Sequence, residues 1–250
     1  MDEELIGLIP AAGKGMRLGL PYPKELYPVI RNNHYKPISQ FVVDNLTNAK
    51  LKHIVFVVNE TKHQLMGYFG SGQRFNCDIS YVVQEVVEGK TKSTSPGLAH
   101  ALDAAYHLTA GKTVFFGMAD TLMQPENVFD RVYREASPDD DVILALFTTT
   151  RPEKFGMVRM DENHRILEIV DKPVNTDLTE MWGCIVWRPI FTEYIHQRVF
   201  EEGVSDFAKI MNDAIAGGMK FRGVHMDDGA YIDLGTYEEI ADLDRKYREE

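Results

Sequence analysis

The chain has 250 residues, of which 44% are hydrophobic, and 27 Lys and Arg stand against 38 Asp and Glu for a formal net charge of −11. That length supports one sizeable core, and no apolar run reaches the roughly 20 residues needed to span a bilayer. A polymeric nucleic acid would call for a basic face, so it is disfavoured as a partner. A small polyanion held by a few local cations and a metal ion remains compatible with an acidic protein. The acidic start MDEE lacks a basic leader segment, so a cytoplasmic location without a membrane partner is expected. Cys77 and Cys184 are far apart and in strand-like surroundings, which points to buried thiols rather than a disulfide or metal framework.

In chain order, residues 5–10 form an apolar run predicted as a strand, 36–49 have helical spacing, and 53–59 are β-branched and strand-like. A short helix at 64–70 and a strand at 78–84 follow. The helix predicted over 96–108 has Ser95 as a cap and Pro96 at its first position. A strand at 113–120, a helix at 125–136 and a strand at 141–150 complete an alternation that builds a doubly wound, mostly parallel sheet. The pattern then changes. Strands at 155–160 and 165–170 flank a turn-forming 161–164, and a strand at 181–187 precedes helices near 189–201 and 205–216. Residues 221–226 and 231–234 read as a second antiparallel hairpin through Asp227-Asp228-Gly229, and a charged helix at 236–250 closes the chain. The expected architecture is one α/β domain with antiparallel hairpins added in its C-terminal half.

The stretch LIPAAGKGMRLGLPYPKELYPV, residues 8–29, leaves the first strand through a glycine-rich loop. It lacks the G-x-x-x-x-G-K-[ST] spacing of a Walker loop. It also lacks the dinucleotide spacing G-x-G-x-x-G, and the prolines at 21 and 23 would obstruct a helix opening there. Gly13 and Gly15 permit close approach of backbone N–H groups to phosphate. Arg17 offers a fork of donors and Lys24 a mobile point charge. A glycine turn with two surface cations is the bland alternative.

The segment Ala11-Ala12-Gly13-x-Gly15-x-Arg17, with Pro23-Lys24-Glu25-x-x-x-Pro28-Val29, resembles the sugar-1-phosphate nucleotidylyltransferases, of which glucose-1-phosphate thymidylyl- and uridylyltransferases are the best-known members. The likeness continues in order through Gln84, Gly97-Leu98-Ala99-x-Ala101, Phe116-Gly117-Met118-Ala119-Asp120, Phe155-Gly156-Met157-Val158, Asp171-Lys172-Pro173 and Tyr231-Ile232-Asp233-Leu234-Gly235-Thr236. It implies a single Rossmann-like, GT-A-type domain, with residues 1–125 as a nucleotide-binding half and 126–250 as a sugar-phosphate half. By the same resemblance, Arg17 and Lys24 are catalytic. Ala11, Ala12, Gly13, Gly15, Gln84 and Gly97 bind the nucleotide, and Gly156, Asp171, Lys172 and Gly183 bind the sugar phosphate. Asp120 and Asp233 hold Mg²⁺. The substrates would be a nucleoside triphosphate, UTP or dTTP by the leaning of Gln84, and a sugar 1-phosphate. A homo-oligomer is compatible with this reading.

The residues themselves agree with these roles. Asp120 is expected at the carboxyl end of a buried strand, where α/β sheets place ligands, with helix capping as its bland reading. Asp233 shares a strand face with Tyr231 and Gly235, or is simply a solvated hairpin residue. Two carboxylates from distant strands suit Mg²⁺ completed by substrate phosphates. Asp171 and Lys172 suit a hydroxyl and a phosphate, or an exposed ion-paired loop.

Several positions depart from the family pattern: Met16 for serine or threonine, Asp171 for glutamate, Tyr231 for tryptophan, Thr121 for asparagine, and a shortened link from Arg17 to Lys24. That short link also resembles the cytidylyltransferase of the methylerythritol phosphate pathway, an alternative acting on a non-sugar alcohol phosphate. A glycosyltransferase would need a D-x-D motif after a strand. Asp139-Asp140-Asp141 has those letters but precedes a strand and reads as a solvated turn. A catalytically silent regulatory homologue is the remaining alternative. The eight histidines are scattered, His100 and His107 fall seven apart on the predicted 96–108 helix without a third ligand, and no β-helix acyltransferase domain is expected after Thr236.

Overall fold

A computed structural model describes residues 3–13, 15, 19–31, 34–85 and 97–248. The chain opens with β1 (Leu5–Pro10), a 3₁₀ turn (Lys24–Leu26), β2 (Pro28–Arg31), β3 (His34–Pro37) and α1 (Ile38–Asn48). β4 (His53–Val58), α2 (His63–Phe69), β5 (Asp78–Val83), α3 (Leu98–Ala104), α4 (Tyr106–Thr109) and β6 (Thr113–Phe116) follow. Next come β7 (Thr121–Gln124), α5 (Val128–Glu135), β8 (Val142–Thr148), β9 (Gly156–Met160), β10 (Ile166–Asp171) and β11 (Glu180–Trp187). The chain ends with α6 (Pro189–His196) running into a π turn (Gln197–Glu201), α7 (Phe207–Ala216), β12 (Phe221–His225), β13 (Ala230–Asp233) and α8 (Tyr237–Arg248).

The main sheet runs β10-β9-β11-β6-β1-β4-β5, with β8 also on β11 and β12 on β8. The β6-β1-β4-β5 core is parallel. Strands buried on both faces read as continuous apolar runs, and β1, β4 and β6 do so. Period-two alternation divides them between two layers. Ile9, Phe56 and Phe115 pack with Val43, Leu46 and Phe129 on one face. Leu8, Val57 and Phe116 pack with Leu102, Phe191 and Ile210 on the other. The sheet is therefore covered by helices on both sides, the doubly wound arrangement expected. No helix of the described residues is long and apolar enough to cross a membrane. Both cysteines are buried and free.

The antiparallel half differs from expectation in one pairing. β9 and β10 form a hairpin, but the strands at 221–226 and 231–234 do not pair with each other. β12 adds to β8 in parallel and β13 pairs antiparallel with β7. The turn itself forms, with Gly229 N–H donating to the Met226 carbonyl at 2.7 Å. Burial then separates the strands: Phe221 and Val224 go into the main core, while Ile232 packs with Leu122 and Leu234 in a separate cluster. The strand predicted at 113–120 stops at Phe116, and β7 is a separate strand. The β2–β3 hairpin was not foreseen. The helix predicted over 96–108 divides at Ala105, so His100 and His107 sit on α3 and α4. Its expected start at Ser95 and Pro96 lies outside the described residues.

Asp140 is not in a solvated turn. It is fully buried, accepting from the Ser137 N–H at 2.8 Å, Arg165 Nη1 at 2.9 Å and Arg222 Nε at 2.7 Å. Its carbonyl accepts from Arg188 Nε at 2.9 Å. The carboxylate ties the entry to β8 to the start of β10 and to β12, and the main-chain carbonyl ties it to the end of β11. Removing one partner of a buried, hydrogen-bonded ion cluster is costly, so Asp140→Ala is expected to lose about 3 kcal/mol in a urea titration. The activity per folded molecule should be unchanged.

Candidate active site

The site lies at the carboxyl ends of the parallel strands, where open α/β sheets bind ligands. The loop after β1 is pinned to β4 and the residue beyond it. Ala11 N–H donates to the Val57 carbonyl at 2.7 Å, and Asn59 Nδ2 donates to the Ala12 carbonyl at 2.7 Å. Gly13 and Gly15 then line a cavity of about 560 Å³. Gly15 has a φ of +61°, a conformation that favours glycine, and it lies against the stem of Lys24. Arg17 falls outside the described residues.

Lys24 projects from its 3₁₀ turn into the cavity, and its ammonium pairs with the Asp120 carboxylate. Asp120 belongs to the turn between β6 and β7, four residues past the strand end. Its carbonyl accepts from Leu234 N–H at 3.0 Å, and Thr121 is the register partner of Asp233. The β7–β13 pair thus draws the two acids to one place. Burial, followed by the charges of Asp120 and Glu239, pushes the Asp233 carboxyl up to about 6 against the opposing pull of Lys24 and Lys154. Burial works against the charged form of Lys24, but Asp120, with Glu25 and Asp233, outweighs it and holds the ammonium above its usual pKa.

The opposite wall carries Phe155, Gly156, Asp171, Lys172 and Trp182. Gly156 and Asp171 are paired across β9 and β10. A Cβ at Gly156 would lie 2.2 Å from Trp182 Nε1, so the glycine is what lets the indole pack there. Lys172 takes a left-handed φ of 49°, unusual for a side chain of its type, while its N–H donates to the Phe155 carbonyl at 2.9 Å. Asp171 and Lys172 are exposed and, among the described residues, have no ion-pair partner.

The cavity brings together eight of the residues singled out in the sequence: Gly13, Gly15, Lys24, Asp120, Gly156, Asp171, Lys172 and Asp233. Ala11, Ala12, Gln84, Gly97 and Gly183 do not line it. Gln84 is buried just past β5, its N–H on the Val58 carbonyl, and Gly97 immediately precedes α3. Gly183 makes room, since a Cβ there would meet Phe147 at 2.5 Å and Tyr231 at 2.8 Å. Sequence reasoning missed Lys154, Trp182 and Asp206 in the lining. Lys154 pairs with Glu239 and directly precedes the Phe155-Gly156 motif, which was the available signal. Asp206 caps α7, accepting from Lys209 N–H at 3.1 Å.

Residues 6–250 match the model of the family described as nucleotidyl transferase. The chain belongs to the nucleotidyl transferase family. It is 24% identical to the low-salt glycan biosynthesis nucleotidyltransferase Agl11 of Haloferax volcanii, over 96% of this chain and 65% of that protein. It is also 24% identical to a UTP–glucose-1-phosphate uridylyltransferase of Synechocystis, over 91% of this chain and 59% of that one. The chain therefore spans about three fifths of the length of these two relatives. A solved UDP-glucose pyrophosphorylase complexed with UDP-glucose superimposes with a TM-score of 0.79 at 22% identity, covering 98% of this chain and 99% of that one, and shows the shared fold.

In this member of the family the donor set fits a hard divalent ion completed by phosphates. Two carboxylates meet at the cavity, and no group of three or more potential ligands occurs among the described residues. Mg²⁺ commonly takes one or two carboxylates and leaves its other positions to substrate phosphates and water. The site also has a pH signature. A carboxyl raised from 3.8 to about 6 on folding leaves stability unaffected below pH 4 and lowers it progressively as pH rises through 6. In EDTA, Asp233→Asn is expected to melt roughly 3–8 °C above wild type at pH 8, with no advantage at pH 4. Added Mg²⁺ should raise the wild-type midpoint at pH 8 and leave that of Asp233→Asn unmoved.

Proposed function

We propose that the chain joins a sugar 1-phosphate to a nucleoside triphosphate, UTP or dTTP, with Mg²⁺ and release of pyrophosphate, and acts in the cytoplasm. One observation carries the reading: a single cavity joins the glycine loop, Lys24 and the Asp120–Asp233 pair to the Asp171-Lys172 wall. The first 125 residues would hold the nucleotide and the remainder the sugar phosphate, with Asp233 reaching back across that division.

The chemistry is direct displacement at phosphorus. A sugar-phosphate oxygen attacks the α-phosphorus, the bond to the β-phosphate bridging oxygen breaks, and pyrophosphate leaves with that electron pair. A phosphate monoester, with a second pKa of about 6, is largely dianionic at pH 7 and needs no general base. The protein's task is to align two polyanions in line and offset their repulsion. Gly13 and Gly15 open the backbone to the triphosphate. Lys24, charged at any physiological pH, turns from Asp120 to the transferring phosphoryl group. Arg17 serves the departing pyrophosphate, Lys172 the incoming phosphate and Asp171 a sugar hydroxyl. A bound Mg²⁺ on Asp120 and Asp233 would neutralise phosphate charge.

A second reading has one specific support. Leu98, Met118, Trp182, Phe207 and Met211 give the cavity an apolar wall, which suits a less hydroxylated acceptor such as methylerythritol phosphate. Pyrophosphate release across a grid of nucleoside triphosphates and acceptor phosphates decides between the two. Turnover is expected with UTP or dTTP and a hexose 1-phosphate. Turnover only with a non-sugar alcohol phosphate would establish the second reading, and nucleotide binding without any release would identify a silent homologue. Arg17→Ala and Lys24→Ala are each expected to cut kcat by about 10²–10³. The melting temperature of Arg17→Ala should stay close to wild type, while that of Lys24→Ala should fall, because Asp120 and Asp233 lose a neutralising cation.

A further inference from the structure

Beneath the cavity lies an ion pair that the reaction does not use. Glu25, the residue after Lys24, is buried at 2% exposure, and Lys62 Nζ donates to its two carboxylate oxygens at 2.8 and 2.7 Å while itself only 2% exposed. Lys62 sits at the N-terminal end of α2, and its N–H donates to the Asn59 carbonyl at 3.1 Å. Asn59 in turn holds the Ala12 carbonyl of the glycine loop. On the other side, Ser39 of α1 donates to the Glu25 carbonyl at 2.6 Å.

A buried ion pair is weak evidence for stability, because desolvation offsets most of the attraction. Its use here follows from counting charges. Two lysines, Lys24 and Lys62, and two carboxylates, Glu25 and Asp120, meet around one short turn, and two pairings satisfy them. In the observed pairing Lys62 takes both oxygens of Glu25, and Lys24 goes to Asp120 in the cavity. In the other, Lys24 folds back on Glu25 and Asp120 loses its cation. Glu25 adjoins Lys24 in the same 3₁₀ turn and is held away from it by the two bonds from Lys62, which makes it the alternative partner.

We propose that Glu25 and Lys62 are positioning residues whose pairing directs Lys24 into the cavity. The role rests on the reading of Lys24 as the cation that meets the transferring phosphoryl group. Neither residue touches substrate; they act through Lys24.

Three variants test this. Lys62→Gln keeps the shape and one hydrogen bond to Glu25 but removes the neutralising charge. It is expected to lower kcat at least tenfold with the KM for the triphosphate within threefold of wild type. Glu25→Gln/Lys62→Gln removes the competing carboxylate as well and is expected to return kcat to within threefold of wild type. A kcat for Lys62→Gln within threefold of wild type, or a double variant as impaired as the single, overturns the proposal, since loss of mere packing would not be rescued by a second neutral change. Should Lys62→Gln fail to fold, Glu25→Asp/Lys62→Arg keeps both charges with compensating lengths. Wild-type kcat is then expected, and a tenfold loss overturns the proposal. A crystal structure of Lys62→Gln gives a readout free of turnover: Lys24 Nζ on Glu25 supports the role and Lys24 Nζ still on Asp120 refutes it. That structure also separates the two claims, because a wild type without pyrophosphate release would end the functional reading and leave the positioning of Lys24 decided.

Discussion

Two carboxylates held together at the mouth of a half-buried cavity set the terms for the rest of the molecule. Asp120 and Asp233 come from turns and strands more than a hundred residues apart, and the β7–β13 ladder with the Leu234-to-Asp120 backbone bond leaves them no room to separate. Burial and mutual repulsion raise Asp233 to about 6, so the folded protein carries a burden that only cations relieve. Lys24 and Lys154 supply part of the relief from opposite sides. Local instability of this kind is common where a protein must bind charge it does not itself supply. It is consistent with a site completed by a metal ion and phosphates.

The cations are accordingly placed with care. Lys154 is held by Glu239, whose carboxyl stays below its usual pKa because, although burial opposes ionisation, hydrogen bonds from Lys154, Gly235 and Thr236 outweigh it. Lys62 is committed to Glu25, and Lys24 is left to the cavity. Lys172 lines the same cavity from a left-handed backbone position. The arrangement puts positive charge where two polyanions would meet inside a protein of formal net charge −11. A few local cations of this kind let an acidic chain hold a small polyanion.

The parallel core was legible because its strands are buried on both faces, which writes itself into LIGLIP and HIVFVV as unbroken apolar runs. The motifs around Gly13, Asp120, Asp171 and Asp233 were legible through resemblance, and the fold brings most of them to one cavity. The pairing of β12 and β13 was not, because Asp227-Asp228-Gly229 satisfies a local turn rule while distant burial chooses the partners. Asp140 was misread for a related reason. Its neutralising arginines lie 25 and 82 positions away, and no local pattern announces them. Lys154 went unnoticed because a lone lysine before an aromatic-glycine pair looks like any surface cation until Glu239 and the cavity are seen beside it. The missing side chain of Gly183 leaves space for Phe147 and Tyr231, a packing requirement that the motif reading did not contain.

In the proposed reaction one cavity holds both phosphates in line and no protein side chain takes the nucleotidyl group. The stereochemistry of transfer tests it most directly. A nucleoside triphosphate of defined configuration at a sulfur-substituted α-phosphorus, reacted with the acceptor phosphate and read by ³¹P NMR of the product, reports the number of displacements. Inversion is expected from a single in-line attack. Retention would require a covalent nucleotidyl intermediate and would contradict a site built only to align and neutralise.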